Sequence, residues 1–343
     1  MKISIITTIY KAEKDLPRLL ESMMKQKSSE LEFFLIDNGS PDRCGEICRE
    51  YAERDPRFRV YTIRENIGYI RARNQGIQVC DGDYVGFCDS DDYLVSGGYD
   101  RAVEKIKETD CDLYITAYHT ITDDHQSVNT IPYPLGLYEG SDIKEQLLPQ
   151  AFGALPEKPV LHGFAWKQIF RRSLIVENNY SFMPALQPYE DQIFNIDVLN
   201  SAGRVYIDDN PIYNYIVNEQ SITAKLLSEF DSRQQWNRIG LLYDEKKKRA
   251  DNALEVEAYS NQMLSSVYSL VLSMAKQKIG TEVLAKRFSD EMNEVMVNEI
   301  VTKSSSLQSG RLKFIKNSLK YKKYRLMFFV VKVALKVTKT VSV

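Results

Sequence analysis

Histidine and cysteine are scarce in this sequence, which limits the metal and redox chemistry open to it. The 343 residues include three histidines and five cysteines, and no histidine stands in a zinc-binding pattern. An odd number of cysteines at irregular spacing argues against a disulfide framework. Cys44 and Cys48, one helical turn apart, are predicted to be buried small apolar side chains. We therefore expect a reducing, cytoplasmic compartment.

The sequence also lacks the signatures of several common classes of protein. It contains no Gly-x-x-x-x-Gly-Lys-Ser/Thr loop, no Gly-x-Gly-x-x-Gly and no Gly-x-Ser-x-Gly turn. The motifs of a P-loop ATPase, a Rossmann dehydrogenase and a serine hydrolase are therefore missing. No apolar run reaches the ~18 residues that a membrane-spanning helix needs. The first residues do not have the pattern of a secretory signal, and none is expected.

Acidic residues are absent from the C-terminal segment. From Thr302 onward there are eleven Lys or Arg residues and no Asp or Glu, which leaves 34 basic and 47 acidic residues before it. Lys313, Lys316, Lys320 and Lys323 recur at helical spacing beside apolar residues, which predicts an amphipathic helix lying on an anionic membrane surface. The alternative is a helix that packs its apolar face on the protein itself. Nucleic acid is not an expected partner, because no nucleic-acid motif is present.

Strand-like and helix-like segments alternate over the first 117 residues. Predicted strands cover 2–10, 31–36, 58–63, 84–88 and 112–117. Amphipathic helices lie between them, and Ser40 with Pro41 predicts the start of the second helix. Strands joined through helices favour a mostly parallel α/β sheet. In such sheets ligands bind beyond the carboxyl ends of the strands.

Carboxylates gather where two of these strands end. Asp37 follows the second strand, and Asp89-Ser90-Asp91-Asp92 follows the fourth. Three carboxylates in four residues repel one another unless a cation or hydrogen-bond donors compensate. Mg²⁺ and Mn²⁺ prefer carboxylate and phosphate oxygens, so Asp-x-Asp can hold such a metal beside a diphosphate. The alternative is a solvated acidic turn that caps the next helix.

The order of short motifs along the chain resembles that of the family 2 glycosyltransferases. The matching segments up to the fourth strand are Ser4–Tyr10 with Glu13, Ile36–Asp42, Asn66-x-Gly68 with Ala72-Arg73-Asn74-x-Gly76-Ile77, and Gly82-Asp83-Tyr84 running into Phe87-x-Asp89-Ser90-Asp91-Asp92. The later ones are Trp166–Arg172, Tyr189–Asp191, Pro211–Tyr215 and Gln220–Thr223. The resemblance implies an inverting, nucleotide-sugar-dependent enzyme of the GT-A fold, a type common in bacterial polysaccharide and lipopolysaccharide assembly.

The resemblance implies a nucleotide site at the first two strands. Thr8, Tyr10 and Glu13 occupy the loop that holds the nucleotide, and Asp37 matches the acid that bonds the base, usually uracil. The alternative for Tyr10 is a core aromatic at a strand end. Asn38 departs from the commoner second aspartate of that turn, so a donor other than a uridine nucleotide stays open.

The same resemblance implies a diphosphate and metal site. Arg71 and Arg73 lie near a helix N-terminus, where they can meet the diphosphate together with Asp89 and Ser90. Asp89 and Asp91 match the acidic motif that binds Mn²⁺ or Mg²⁺, with Asp91 as the expected direct ligand.

Tyr189-Glu190-Asp191 resembles the family segment that supplies the catalytic base. An inverting displacement needs a group that takes the proton of the acceptor hydroxyl. Asp191 is the predicted base and Glu190 its support. The alternative is a pair of acids stabilised by a helix N-terminus. His162 can line the acceptor pocket, but an ordinary structural histidine is the favoured explanation.

These inferences combine into one prediction of organisation and function. Residues 1–225 form the GT-A catalytic domain (1–117 the nucleotide-binding half, 118–225 the acceptor half), 226–302 a helical region and 303–343 the basic tail. The expected reaction moves a sugar from a nucleotide diphosphate-sugar, typically a UDP-sugar, to a hydroxyl of a saccharide acceptor, possibly lipid-linked, at the inner membrane face. A nucleotidyltransferase on a related fold and a catalytically silent saccharide- or membrane-binding protein are the alternatives.

Overall fold

A computed structural model describes residues 1–123, 125–217, 231–305 and 309–341, with side chains described as far as residue 336. Two compact units divide the chain. The first comprises Met1–Leu147, His162–Pro184 and Glu190–Glu219, and the second comprises Leu148–Leu161, Ala185–Tyr189 and Gln220–Val343. The predicted boundary at residue 225 and the Gln220–Thr223 landmark lie outside the described residues.

The first unit is built on one ten-stranded sheet. Its strands are β1 Ile3–Ile9, β2 Leu31–Asn38, β3 Phe58–Ile63, β4 Tyr84–Phe87, β5 Tyr93–Leu94, β6 Leu113–Ile121, β7 Gln126–Asn129, β8 Gly136–Glu139, β9 Gln168–Arg171 and β10 Arg204–Ile216. Their order is β3-β2-β1-β4-β9-β6-β10-β5, with β7 beside β6 and β8 beside β10. Strands β1, β2, β3, β4, β6 and β10 share one direction, and the remaining four run opposite to them. The prediction of a mostly parallel α/β sheet is confirmed.

Thirteen α-helices are present in the described residues. They are α1 Leu16–Met24, α2 Cys44–Arg54, α3 Tyr69–Val79, α4 Gly98–Thr109, α5 Leu148–Phe152, α6 Arg172–Glu177, α7 Glu190–Ser201, α8 Ser232–Arg249, α9 Ala253–Ala275, α10 Thr281–Glu291, α11 Glu294–Lys303, α12 Gly310–Lys320 and α13 Tyr324–Val341. Helices α1 to α4, α6 and α7 belong to the first unit, and the others to the second.

Helix α3 packs directly on the centre of the sheet. A Cβ added to Gly76 would lie 2.6 Å from the Ile36 side chain and 2.7 Å from the Ile6 side chain. Only glycine permits this close approach. It fixes the height of α3, and therefore of the arginines it carries, above β1 and β2.

The second helix starts later than predicted. It begins at Cys44 rather than at Pro41. Ser40 does not cap it, because its Oγ donates to Asp42 Oδ1 at 2.5 Å and accepts a hydrogen bond from the Lys11 N–H at 2.8 Å. The side chain that suggested an N-cap instead links the loops after β1 and β2.

The basic tail packs one face within the second unit. Met327 and Phe328 are fully buried, and the Phe328 ring lies edge-on to Phe288, with 5.8 Å between their centroids. The opposite face leaves apolar side chains exposed: Leu326, Phe329, Val330 and Val333. Packing on the protein, the predicted alternative, therefore accounts for one face of α13 and not for the other.

Two sequence-level expectations concern cysteine and membrane segments. All five cysteines are buried free thiols, as predicted for Cys44 and Cys48. Among the described residues, none of the helices combines the length and apolarity needed to cross a lipid bilayer.

Candidate active site

The carboxyl ends of β1, β2 and β4 meet at one edge of the sheet. Ile9, the last residue of β1, pairs with Asp37 near the end of β2, and Ile6 pairs with Phe87 at the end of β4. The loop after β1, the turn after β2 and the acidic segment after β4 therefore come together, as the parallel topology predicts.

Three residues expected at the nucleotide lie in or after β1. Thr8 is half-buried, and Tyr10 is 39% exposed, so it is not a core aromatic. The Glu13 carboxylate accepts a hydrogen bond from the backbone N–H of Arg43 at 3.2 Å. Glu13 thus fastens its loop to the start of α2, while the Tyr10 ring is left available to a ligand.

Asp37 is held by its own turn. It is buried, and Oδ1 accepts a hydrogen bond from the Ser40 N–H at 2.9 Å. A Cβ on Gly45 would lie 2.7 Å from Oδ2, so only glycine leaves space for the carboxylate there. The turn therefore fixes the position of this acid before any ligand binds.

Asn38, which departs from the family pattern, ties the turn to the loop before α3. Its Nδ2 donates to Asn66 Oδ1 at 3.1 Å, and its Oδ1 accepts from the Ile67 N–H at 3.1 Å. Gly39 has a φ of 66°, and a Cβ there would lie 2.8 Å from the Asn66 nitrogen. An ionised aspartate at position 38 could not donate to Asn66, so the amide has a structural reason here.

The members of the acidic segment have different surroundings. Asp92 is buried, accepts the Tyr213 hydroxyl at 2.7 Å and accepts the Ile216 N–H at 2.7 Å. Burial, followed by the charge of Asp89, raises the pKa of Asp92 to about 8. Asp92 therefore connects the segment to β10, whereas the Asp89 side chain is 38% exposed and Ser90 is half-buried.

The Asp91 carboxylate has a hydrogen bond from its own backbone N–H, and no other residue in the described part of the chain donates to it. Its backbone carbonyl, by contrast, accepts Arg18 Nη2 at 2.7 Å. Burial and the neighbouring Asp89 charge raise the pKa of Asp91 to about 6. A buried carboxylate beside a second negative charge is a fitting environment for a cation.

Arg73 lies between the acidic segment and the predicted base. The side chain is 6% exposed, Nη2 donates to Asp89 Oδ1 at 3.1 Å, and Nη1 donates to Asp191 Oδ1 at 3.0 Å. Aromatic rings surround the guanidinium, including Phe182 at 4.9 Å from its centroid. The structure thus places Arg73 among carboxylates instead of leaving it free for the diphosphate. Arg71, in contrast, is exposed.

Asp191 is oriented by two donors at the start of α7. Arg73 binds Oδ1, and the Ala165 N–H donates to Oδ2 at 3.1 Å. Burial raises the pKa of Asp191 to about 6, which the Arg73 charge opposes and the Glu190 charge reinforces. A carboxylate with such a pKa is largely ionised near neutrality, yet more basic than an exposed aspartate.

Glu190 is the inner neighbour of the predicted base. It is buried, and its Oε1 accepts a hydrogen bond from the Tyr69 hydroxyl at the start of α3. Burial and the Glu190 charge raise the pKa of Tyr69, so the phenol remains a donor. Glu190 therefore links α7 to α3, the helix that also carries Arg73.

A divalent metal fits this corner if a ligand completes its coordination. Within the described residues no group of three or more His, Cys, Asp or Glu side chains is arranged around one point. Asp89 and Asp91 offer two hard carboxylates, and Mg²⁺ or Mn²⁺ commonly takes its other ligands from phosphate and water. Asp89 and Asp91 would thus supply only part of the coordination that such an ion needs.

Four hydrogen bonds of this site are not predictable from the local sequence. Tyr69 binds Glu190, the Ala165 backbone binds Asp191, and Tyr213 donates to Asp92 while accepting the Asp89 N–H at 3.1 Å. The Trp166 and Pro211–Tyr215 segments were visible as landmarks, but their hydrogen bonds cross from one chain segment to another and carry no local signal.

Comparison with known proteins gives the site a family context. Residues 4–152 match the sequence model described as glycosyl transferase family 2. The uncharacterized glycosyltransferase EpsJ of Bacillus subtilis is 31% identical over 223 residues, which is 64% of this chain and 62% of EpsJ. The chain spans slightly less than two thirds of the length of the first curated relatives that it matches.

Solved structures share the fold. Residues 1–349 of Staphylococcus aureus TarS, in complex with UDP, superpose with a TM-score of 0.69 at 18% identity, covering 98% of this chain and 92% of that one. A mannosyltransferase from Pyrobaculum calidifontis, in complex with GDP-mannose and Mn²⁺, has a TM-score of 0.53 at 13% identity. The match covers 97% of this chain and 87% of that one.

Proposed function

We propose a sugar-transfer reaction for this chain, which belongs to glycosyltransferase family 2 and has the GT-A fold. The donor is a nucleotide diphosphate-sugar, with a UDP-sugar as the first choice, and the acceptor is a hydroxyl of a saccharide. The setting is bacterial surface polysaccharide synthesis, with an acceptor that is lipid-linked. One observation carries the proposal: Arg73 joins the acidic segment at Asp89 to the carboxylate of Asp191.

The donor occupies the edge formed by β1, β2 and β4. Tyr10 offers an exposed ring to the nucleobase of the donor. Asp37 offers the nucleobase a carboxylate whose position is already fixed by its turn. The diphosphate lies toward Asp89, Ser90 and the exposed Arg71. TarS, which shares the fold, has been solved with UDP and with UDP-GlcNAc, which supports a uridine nucleotide as the first donor to test.

Asp89 and Asp91 would hold a Mn²⁺ or Mg²⁺ ion beside the diphosphate. Such an ion supplies positive charge that stabilises the departing nucleoside diphosphate. The mutual repulsion of the two carboxylates supports this role, and the mannosyltransferase of similar fold was solved with Mn²⁺.

Asp191 acts as the base. Its carboxylate takes the proton of the acceptor hydroxyl while the hydroxyl oxygen forms a bond to the anomeric carbon. The bond from that carbon to the diphosphate oxygen breaks on the opposite side, so the configuration inverts and the nucleoside diphosphate leaves. Arg73 and the Ala165 N–H keep the carboxylate in one orientation throughout.

The exposed face of α13 brings the enzyme to a membrane. Leu326, Phe329 and Val333 lie on a helix that also carries the exposed Arg325 and Lys336, and the other face of this helix is buried. Such a face binds an anionic lipid surface through shallow insertion and charge. This location suits a lipid-linked acceptor at the cytoplasmic face.

The proposed function is tested by measuring products. The whole chain is incubated with a panel of nucleotide sugars and Mn²⁺, and release of nucleoside diphosphate is followed with and without saccharide acceptors. Release of nucleoside diphosphate that depends on the metal supports glycosyl transfer. Turnover of pyrophosphate instead would identify a nucleotidyltransferase, and binding of no nucleotide sugar would leave a silent binding protein.

A further inference from the structure

An aromatic ladder starts beside the predicted base and ends at the surface. The rings of Trp166 and Phe164 are parallel within 4° with centroids 5.2 Å apart, and those of Phe164 and His162 are parallel within 12° at 5.5 Å. Trp166 is buried against Tyr213, whereas Phe164 is 38% exposed and His162 is exposed. The inner end of the ladder is thus anchored in the core, and its outer end faces solvent.

Two contacts fix this ladder relative to Asp191. The Ala165 N–H donates to the Asp191 carboxylate at 3.1 Å. A Cβ on Gly163 would lie 2.6 Å from the Asn195 Cβ, so the backbone touches α7 one turn beyond Asp191. The exposed rings of His162 and Phe164 therefore come just before Ala165, the residue whose N–H contacts the predicted base, and the buried Trp166 follows it.

A lysine at the end of this segment has no counter-ion in the described part of the chain. Lys167 is 6% exposed, and its ammonium lies 5.8 Å from the centroid of the Phe164 ring. No hydrogen bond or ion pair joins that ammonium to the described residues. Burial alone lowers its pKa to about 8, and no carboxylate of the metal corner contributes.

The unpaired Lys167 ammonium and the exposed rings both cost free energy in the unliganded protein. A buried ammonium without an anion loses its hydration and gains little in exchange. Exposed stacked rings keep apolar surface in water, and the outer end of the stack at His162 offers a flat surface on which a sugar ring can pack. Sites that break the ordinary rules of stability in this way are commonly ligand sites.

We propose that His162, Phe164 and Lys167 form an acceptor subsite for an acidic saccharide: a sugar ring packs its C–H face on the ladder, and an anionic substituent pairs with the Lys167 ammonium. The substituent is a phosphate or a carboxylate, which share the chemistry that Lys167 recognises. The inference rests on the proposed function, because it assigns the ligand that Asp191 deprotonates to a chemical class.

Binding of simple sugars to the whole chain tests the subsite without knowledge of the natural acceptor. Isothermal titration or ligand-observed NMR compares methyl glucoside, methyl glucuronide and glucose 6-phosphate, with inorganic phosphate as competitor. We expect at least one acidic sugar to bind about tenfold more tightly than the neutral one. Preference for the phosphate or for the carboxylate identifies the source of the charge.

Matched variants assign the preference. Lys167→Met should remove the preference for acidic sugars, and Lys167→Arg should keep part of it. Phe164→Ala should weaken the binding of all the sugars alike. Lys107→Met, at an exposed lysine on α4, is the control that should keep the preference. Because methionine replaces an unpaired buried charge at similar length, Lys167→Met should fold with an equal or higher Tm.

The proposal is overturned if acidic sugars fail to bind, bind no better than methyl glucoside, or keep their advantage in Lys167→Met. The proposal is also overturned if Lys167→Met keeps the sugar preference but binds UDP with Mn²⁺ more weakly, because the lysine would then lie at the donor. Nucleotide-sugar turnover is measured separately, so failure of glycosyl transfer itself is recognised independently.

Discussion

Arg73 and Asp191 lie 118 residues apart in the sequence and meet through a hydrogen-bonded ion pair of 3.0 Å. The same guanidinium holds Asp89 at 3.1 Å. The side chain of Arg73 is thus shared between the corner proposed for the metal and the residue proposed as base. The donor binding proposed at Asp89 and the proton transfer proposed at Asp191 would therefore be connected through one buried cation.

Replacing Arg73 should affect stability and activity together. Arg73→Met leaves two carboxylates without their partner, and breaking a buried pair in this way costs about 3–5 kcal/mol. Arg73→Lys keeps the charge but cannot contact both acids with the same geometry, so it should be milder. Urea unfolding and nucleoside diphosphate release measure the two effects. Arg71→Met, at an exposed neighbour, is the matched control for stability; equal losses of stability in both variants would contradict the shared role of Arg73.

Asp191→Asn should abolish transfer while the fold and donor binding persist. The amide cannot take a proton from the acceptor hydroxyl, and general-base groups contribute about 10²–10⁴-fold. Asp209→Asn, at an exposed aspartate of the same unit, is the control. Transfer rates, circular dichroism and nucleotide titration give the three readouts. Full activity of Asp191→Asn would mean that another group is the base.

The pH dependence of the rate reports the state of Asp191. Since its pKa is raised to about 6, the active carboxylate is lost as the pH falls through 6, and the rate should drop about tenfold per pH unit below that point. The Arg73 charge lowers this pKa, so the acidic limb should move to higher pH in Arg73→Met. If the acidic limb stays at the same pH in Arg73→Met, the group that titrates is not Asp191.

Substitutions of Asp91 and Asp92 should affect different properties of the protein. Asp91→Asn should weaken activation by Mn²⁺ with little change in stability, because no other described residue donates a hydrogen bond to its carboxylate. Asp92→Ala should instead destabilise the fold by about 1–3 kcal/mol, because Tyr213 and Ile216 lose their acceptor. Metal titrations and urea unfolding separate them. Equal effects of both variants on metal activation and on stability would contradict the separate roles assigned to Asp91 and Asp92.

Asp92 should also make stability depend on pH. Its pKa is raised from 3.8 to about 8 in the folded protein, so the folded state binds the proton more tightly than the unfolded chain does. Stability contributed by this group is complete below pH 4 and is lost as the pH rises toward 8. Asp92→Asn should flatten the dependence of the unfolding free energy over this range, and an unchanged slope would refute the assignment.

The tail is best tested by point substitution. Deleting it would expose Phe288 and other core residues that α13 covers, so loss of binding could reflect unfolding. Phe329→Glu changes an exposed residue and should release the chain from vesicles that contain anionic lipid, as should high salt. Val295→Glu, at an exposed residue of α11, is the control. Retention of Phe329→Glu on the vesicles would reject the proposed membrane face.

Much of the fold could be predicted from local pattern. Strand β3 was predicted with its observed ends. The helices predicted over about 68–79 and 98–108 match α3 and α4 within one residue at either end. The start of α2 was wrong, because Ser40 bonds to Lys11 and Asp42 rather than to the helix. A capping residue can be identified locally, whereas competition from another loop cannot.

The sequence by itself determined the sheet and the chemistry available at its edge, because hydrophobic period and short motifs are local properties. Tertiary structure alone decided how Arg73, Asp92 and Lys167 are used. Arg73 stands where a phosphate-binding arginine was expected, yet it pairs with two carboxylates. Such pairings depend on the packing of α3 and α7 and on the sheet beneath them. Distances across the chain, and the burial that strengthens each charge interaction, exist only once the chain has folded.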